Sequence, residues 1–210
     1  MARPRADNYA EKQQLILDQA AVLFAQKGFA GSSISTLAKS CNTSKALIYH
    51  YYPAKESLLY AMLSDHIDHL LEAARQALEA QKDGGAEKQL RHLLRVFMAI
   101  YASAEAKHSV LLNDLHWLPD EQQKQIRDKE RQVLRIFRDL IDQLRPDLDS
   151  ETRLGLSMSI LGSINWTYIW FKQTGPLSPE QFADIAASMF FGGVSGVAPA
   201  IKARSNDQAG

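Results

Sequence analysis

Residues 28–59 read GFAGSSISTLAKSCNTSKALIYHYYPAKESLL, and they carry the clearest structural signals in the chain. Ser33 precedes a short apolar run at helical spacing, and its side chain can accept hydrogen bonds from the free N–H groups of a first helical turn. We therefore expect a helix of about seven residues after Ser33. Ser44 has the same role and predicts a second short helix that reaches about Tyr51, before Pro53 stops it.

A longer helix is expected before this pair, over residues 10–27. Ile16, Ala20 and Phe24 form one buried stripe there, and Gly28 stands where a left-handed cap belongs. Two short helices joined by a turn and supported by a longer helix are typical of helix-turn-helix DNA-binding proteins. The same spacing also occurs in enzymes and adaptors, so the exposed side chains have to separate these possibilities.

The second short helix is predicted to present polar groups outward. Burial of Ile48 and Tyr52 against the first short helix turns the other face to solvent. That face has small, basic and aromatic side chains suited to phosphates and base edges. Its members are Lys45, Ala46, Tyr49 and His50.

Composition indicates an ordinary globular protein. The 210 residues are 46% hydrophobic and 23% charged, which argues against a disordered or fibrous chain. The net charge is zero overall, but residues 1–60 carry a net +3 and the remainder a net −3. This asymmetry favours contact of the first segment with a polyanion.

Cysteine usage and hydropathy predict a cytoplasmic protein without a membrane partner. Cys41 is the single cysteine and cannot form an intramolecular disulfide. The first nine residues lack the apolar core of a secretory signal. The most apolar stretches are interrupted by polar residues or glycines and fall short of a membrane span of about 20 residues.

The fold class predicted for the whole chain is all-α, with about nine helices. Beyond the first three helices, the expected spans are residues 55–81, 86–104, 107–118, 120–144, 150–172 and 179–201. We expect a DNA-binding domain over residues 1–54, a second domain over residues 55–203 and a flexible tail over residues 204–210. Ser178-Pro179-Glu180-Gln181 is a capping box that marks the start of the last helix.

Three strings, residues 28–38, 43–52 and 55–59, resemble the TetR/AcrR family of transcriptional repressors. The resemblance implies an N-terminal helix-turn-helix domain and a larger helical domain that binds an effector and dimerises. It further implies a non-enzymatic repressor without cofactor or metal, which binds a palindromic double-stranded operator and is released by a small molecule. The DNA-contacting residues that it implies are Ser33, Ser35, Thr43, Ser44, Lys45, Ala46, Tyr49, His50, Tyr51 and Lys55.

The segments 164–171 and 175–180 resemble one branch of this family, which regulates fatty-acid, steroid or aromatic-acid catabolism. The effectors of that branch are acyl-CoA thioesters, whose acyl chain enters a helical pocket lined by aromatic residues. For such a pocket we expect the ligand-binding residues Asn165, Trp166, Tyr168, Ile169 and Trp170, with Met98, Tyr101, Leu111, Leu115 and Trp117 as the opposing walls. In the family the final helices of two subunits pair, which makes Phe182, Met189, Phe190, Gly193 and Val197 the expected dimer interface.

Other interpretations of these residues stay open. The aromatic cluster near residue 166 also fits a helix buried by packing alone, and the effector could instead be a drug or a free aromatic acid. An all-α enzyme acting on CoA thioesters would use Asp114 with His116, or His66 with His69, as acid and base. His66 and His69 also have the spacing of two metal ligands, but no second ligand pair accompanies them, so we expect them to be surface residues.

Overall fold

The computed structural model describes residues 4–197, with side chains from Tyr9 onward. This part of the chain contains ten α-helices and no strand, in agreement with the predicted all-α class. None of its helices has the length and apolar character of a bilayer-crossing segment. The helices are α1 (Pro4–Gly31), α2 (Ile34–Ser40), α3 (Lys45–Tyr51), α4 (Lys55–Ala80), α5 (Gly85–Ser103), α6 (Glu105–Asp114), α7 (Asp120–Leu144), α8 (Ser150–Asn165), α9 (Thr167–Trp170) and α10 (Pro179–Val194).

The described residues form two compact units. Unit 1 contains residues 4–72 and 100–131, and unit 2 contains residues 73–99 and 132–197. The chain passes between the units within α4, α5 and α7. The domain boundary after residue 54 stays a prediction, and the predicted tail over residues 204–210 lies outside the described residues.

Local signals explain the start of the chain. Gly28 interrupts α1 with φ 70° and ψ 159°, so its φ is positive as predicted but its ψ is extended rather than left-handed helical. Ser33 caps α2 by accepting from the N–H of Thr36, and Ser44 caps α3 by accepting from the N–H of Leu47. Both predicted short helices are confirmed, each seven residues long.

The core of unit 1 forms around these helices. Phe24 of α1, Leu37 of α2 and Ile48 of α3 are each essentially inaccessible to solvent. The first half of α4 adds Leu58 and Leu59, which are fully buried. Burial of this apolar surface holds the two short helices in place, because helices of two turns are marginal on their own.

The helix expected over residues 150–172 is broken. α8 ends at Asn165, and only the four-residue α9 follows. The hydroxyl of Thr167 donates to the carbonyl of Ile164 at 2.5 Å, a local side-chain bond at the junction of the two helices. The single helix expected over residues 150–172 is therefore two helices that are separated at Trp166.

The last helix begins as predicted and ends earlier. Ser178 and Gln181 form the capping box at the start of α10. The helix ends at Val194, and the carbonyls of Val194 and Val197 accept hydrogen bonds from Arg145. Arg145 thus ties the segment that follows α10 to the end of α7. The remaining part of the predicted span, residues 198–201, lies outside the described residues.

Candidate functional site

The outward face of α3 has the composition predicted from the sequence. Ile48 and Tyr52 are buried, whereas Lys45, Ala46 and His50 are exposed. The ring of Tyr49 is 47% exposed. The face therefore offers a basic group, a small residue and two rings to a partner.

Charge around α2 and α3 is one-sided. Residues 19–55 contain no Asp or Glu, and they include Lys27, Lys39, Lys45 and Lys55. Neither α2 nor α3 has an acidic residue in its first turn. A surface with this charge attracts a polyanion such as the DNA backbone.

The remaining predicted DNA contacts divide between exposed and half-buried positions. Ser33 and Ser44 are exposed and cap their helices, while Ser35 and Thr43 are half-buried. Tyr51 packs its ring on Tyr9 of α1, with ring centroids 4.6 Å apart. Their contacts with DNA stay predictions.

Lys55, at the first position of α4, is tied into the protein. Its ammonium donates to the carbonyls of Phe29 at 2.6 Å and Ser32 at 2.9 Å, and it lies 4.1 Å from the centre of the Phe29 ring. One ammonium hydrogen is left for a phosphate. The predicted phosphate contact is thus compatible with a second role, in which Lys55 fixes the connection from α1 to α2.

Trp117 and Asp114 both contact Phe29, the residue to which Lys55 is bonded. The rings of Trp117 and Phe29 have centroids 5.7 Å apart. Burial raises the pKa of Asp114, although hydrogen bonds from the Phe29 backbone and from Trp117 act to lower it. The end of α6 therefore contacts the segment that leads into α2.

The predicted effector residues fall into both units. In unit 1, Tyr101 and Leu111 are buried and Leu115 is half-buried. In unit 2, Met98 is fully buried and its sulfur lies 4.0 Å from the Thr167 hydroxyl.

The aromatic cluster of unit 2 is more exposed than a closed pocket requires. Trp166 is 59% exposed, and Ile169 and Trp170 are also exposed. Tyr168 is half-buried, and the Oδ1 atom of Asn165 is buried without a partner among the described residues. Assignment of these residues to an effector pocket stays a prediction.

Two neighbouring helices of unit 2 each expose apolar side chains. α8 and α10 pack on each other, and α10 exposes Ile185 and Met189, the latter 74% accessible. α8 exposes Leu154 and Met158 in the same manner. We call these four side chains the α8–α10 face.

The residues expected at the dimer interface do not all lie on this face. Met189 does, and Gly193 is exposed near it on α10. Phe190 and Val197 are half-buried. Phe182 is half-buried and packs inside unit 2 against Trp170, with ring centroids 5.1 Å apart.

Two family models match the chain. The model described as bacterial regulatory proteins of the tetR family matches residues 16–62, and the model described as the tetracyclin repressor-like C-terminal domain matches residues 82–194. The second match alone spans more than half of the chain. This chain belongs to the TetR family.

Individual relatives extend over nearly the whole TetR-family chain. The HTH-type transcriptional repressor KstR2 of Mycolicibacterium smegmatis is 26% identical over 208 residues, covering 93% of this chain and 96% of that protein. A TetR-family transcriptional regulator from Bordetella parapertussis is 34% identical with a TM-score of 0.82, covering 90% and 98% of the two chains. The structure of AibR in complex with isovaleryl coenzyme A and operator DNA is 25% identical with a TM-score of 0.72, covering 85% and 97%.

One polar cluster of this TetR-family protein was missed at the sequence level. His66 of α4 and His108 of α6 are each only 2% exposed, and Nε2 of His66 lies 3.4 Å from Nδ1 of His108. The expectation that His66 lies on the surface was wrong, whereas His69 is exposed as predicted. The sequence contained one signal for the burial of His66, which is its position directly before the apolar Ile67. Two adjacent residues of a helix can both be buried when the apolar face of that helix is wide.

Lys107, next to His108 in sequence, forms two ion pairs. Its ammonium lies 2.8 Å from a carboxylate oxygen of Asp18 in α1 and 3.4 Å from one of Asp65 in α4. It therefore links α6 to both of these helices. Among the described residues, no group of three or more His, Cys, Asp or Glu side chains is arranged to hold a metal ion.

Proposed function

We propose that this chain is a homodimeric transcriptional repressor that binds a palindromic operator and is released by an acyl-CoA thioester. The observation that carries the DNA-binding part is the exposed face of α3, which lies in a segment without acidic residues. In this proposal α3 of each subunit enters one of two successive major grooves. Action on DNA places the protein in the cytoplasm.

In this proposal the exposed side chains of α3 contact different parts of the operator DNA. Lys45 neutralises phosphate charge or reads a guanine edge, and Ala46 permits close approach to the bases. Tyr49 rests on the sugar-phosphate backbone. The helix dipole at Ser44 adds a favourable field for a phosphate near the start of α3.

The α8–α10 face supports the homodimer. Leu154, Met158, Ile185 and Met189 expose apolar surface on two adjacent helices, and burial of such surface drives association. The proposed occupant is the same face of a second copy, which would give a four-helix interface with two-fold symmetry. Such symmetry matches the two half-sites of a palindrome.

The effector class rests on the relatives. The AibR structure contains isovaleryl coenzyme A together with operator DNA, and KstR2 is described as a transcriptional repressor. Release requires that the thioester bind more tightly to a subunit geometry in which the two α3 helices no longer match the half-site spacing. A drug or free aromatic acid is the alternative effector for the same repressor.

The test is fluorescence-anisotropy titration of the protein with DNA from upstream of its own gene, at a fixed salt concentration. Acyl-CoA thioesters, their free acids and free CoA are then added in turn. We expect nanomolar binding that one thioester reverses and that its free acid does not. Release by the acid as well as by the thioester would favour the alternative effector.

Tyr49→Ala provides the matched variant for the DNA-binding part. Loss of the ring should weaken operator binding at least ten-fold while thioester affinity and the oligomeric state remain unchanged. Unchanged operator affinity in this variant would rule out α3 as the recognition helix. Turnover of a thioester by the wild-type protein would instead support the enzymatic alternative.

A further inference from the structure

His108 has one ring nitrogen that is engaged and one that is not. Nδ1 faces Nε2 of His66 at 3.4 Å. Nε2 is buried and has no hydrogen-bond partner among the described residues. A buried polar atom without a partner is destabilising, so its retention in a folded protein calls for an explanation.

Neighbouring rings fix the orientation of this imidazole. The ring of Tyr101 stacks on His108, with centroids 3.6 Å apart and planes inclined by 19°. His66 approaches from the Nδ1 edge, with the two imidazole rings at 64°. The hydrogen bond with His66 is at Nδ1 and leaves Nε2 without a hydrogen-bond partner among the described residues.

The cluster is electrically neutral. Burial lowers the pKa of both His66 and His108, so both rings are uncharged at pH 7. The nearest cation, Lys107, is already paired with Asp18 and Asp65. A carboxylate placed here would be buried without a charge partner, whereas an uncharged carbonyl would not carry this cost.

We infer that Nε2 of His108 is the hydrogen-bond anchor for the uncharged carbonyl oxygen of the effector, which is the thioester carbonyl if the proposed function is correct. In this arrangement Nε2–H of His66 donates to Nδ1 of His108, which leaves the proton of His108 on Nε2. His108 then donates to the carbonyl oxygen. His66 is a positioning residue, because it sets the tautomer of its neighbour without touching the effector.

His108 is linked through His66 to the helix that follows the proposed DNA-binding helices. His66 and Lys55 both belong to α4, and α4 follows α3 after only three residues. A carbonyl bound to His108 of α6 favours the arrangement of α6 and α4 in which His66 keeps the proton of His108 on Nε2. That preference is the differential affinity that the proposed release requires.

Two variants separate this role from a structural one. In His108→Gln the amide nitrogen can reach the position of Nε2, whereas in His108→Asn the amide occupies the position of Nδ1 and leaves the Nε2 position empty. Full-length wild type and both variants are titrated with isovaleryl-CoA and octanoyl-CoA by calorimetry. Operator affinity without effector and the thermal midpoint are measured alongside.

We expect His108→Asn to weaken thioester binding about ten-fold and His108→Gln to retain affinity within about three-fold, with operator affinity equal to wild type in both. Wild-type thioester affinity in His108→Asn would overturn the anchor and leave the proposed repressor intact. If the wild type binds neither thioester yet binds the operator, the anchor and the thioester class both fail while the DNA-binding proposal stands.

Discussion

Lys55 donates a hydrogen bond of 2.6 Å to the backbone carbonyl of Phe29 and places its charge over the Phe29 ring. The same ammonium bonds to the carbonyl of Ser32, the residue before the cap of α2. A lysine expected from family resemblance to contact phosphate thus also holds together the segment that joins α1 to α2. In the proposed function, folding and DNA recognition share this side chain.

Replacement of Lys55 by Met should lower the free energy of unfolding by about 1–2 kcal/mol, because two carbonyls lose a charged donor. Urea denaturation of the purified protein measures this change. Lys39→Met serves as the control, since Lys39 is exposed in the last turn of α2. A Lys55→Met variant with wild-type stability and weakened operator binding would show that phosphate contact is its only role.

Ser44 permits a separation of helix capping from DNA contact. Ser44→Ala should lower stability by about 1 kcal/mol, because the N–H of Leu47 loses its acceptor. Ser44→Asp keeps a capping oxygen, so its stability should remain close to wild type, but its negative charge should weaken operator binding more than ten-fold. Denaturation and anisotropy titrations provide the two readouts. Full operator affinity in the Asp variant would contradict the docking of this helix end near a phosphate.

The α8–α10 face predicts the effect of a charge on association. Met189→Glu and Met158→Glu should each shift the protein from dimer to monomer in size-exclusion chromatography with light scattering, because a buried unpaired carboxylate opposes association. Leu15→Glu on α1 is the control, since Leu15 is similarly exposed but lies in unit 1. Dimers that survive both Met substitutions would exclude this face as the interface.

The histidine pair predicts how stability depends on pH. The pKa of an unfolded histidine is about 6.5, whereas burial lowers the pKa of His66 to about 4 and that of His108 to about 3. Below pH 6.5 the unfolded chain takes up protons that the folded protein does not, so stability present at neutral pH is lost as the pH falls towards 4. Between pH 7 and pH 5 we expect a loss of about 2–4 kcal/mol.

Urea denaturation at the two pH values measures this loss. His108→Gln should reduce it by up to about half, because one of the two buried imidazoles is removed. His69→Gln should leave it unchanged, since His69 is exposed on the same helix as His66. An identical pH dependence in wild type and His108→Gln would mean that the pair does not stay neutral on folding.

Short-range signals allowed the first half of the fold to be predicted closely. Ser33 and Ser44 specify where α2 and α3 begin, because capping depends on residues only three positions apart. The outward orientation of Lys45 and Tyr49 followed from the apolar spacing of Ile48 and Tyr52. These features are local, so no knowledge of distant contacts was needed.

Features that depend on tertiary contacts escaped prediction. The end of α8 at Asn165 leaves no trace in the apolar pattern of the sequence. His66 and His108 are 42 residues apart in sequence, and their meeting depends on how α4 packs with α6. Exposure of Trp166 and Trp170 likewise reflects packing rather than composition.

The construction of α3 has an evolutionary consequence. Ile48 provides the fully buried anchor of this helix, and Ser44 provides its cap, whereas Lys45, Ala46, Tyr49 and His50 project to solvent. Substitutions at exposed positions usually change stability little. If α3 reads the operator as proposed, new operator preferences can therefore be acquired by successive changes at these four positions, each of which leaves the protein folded. In such proteins the DNA sequence that is recognised can then change faster during evolution than the buried residues that maintain the fold.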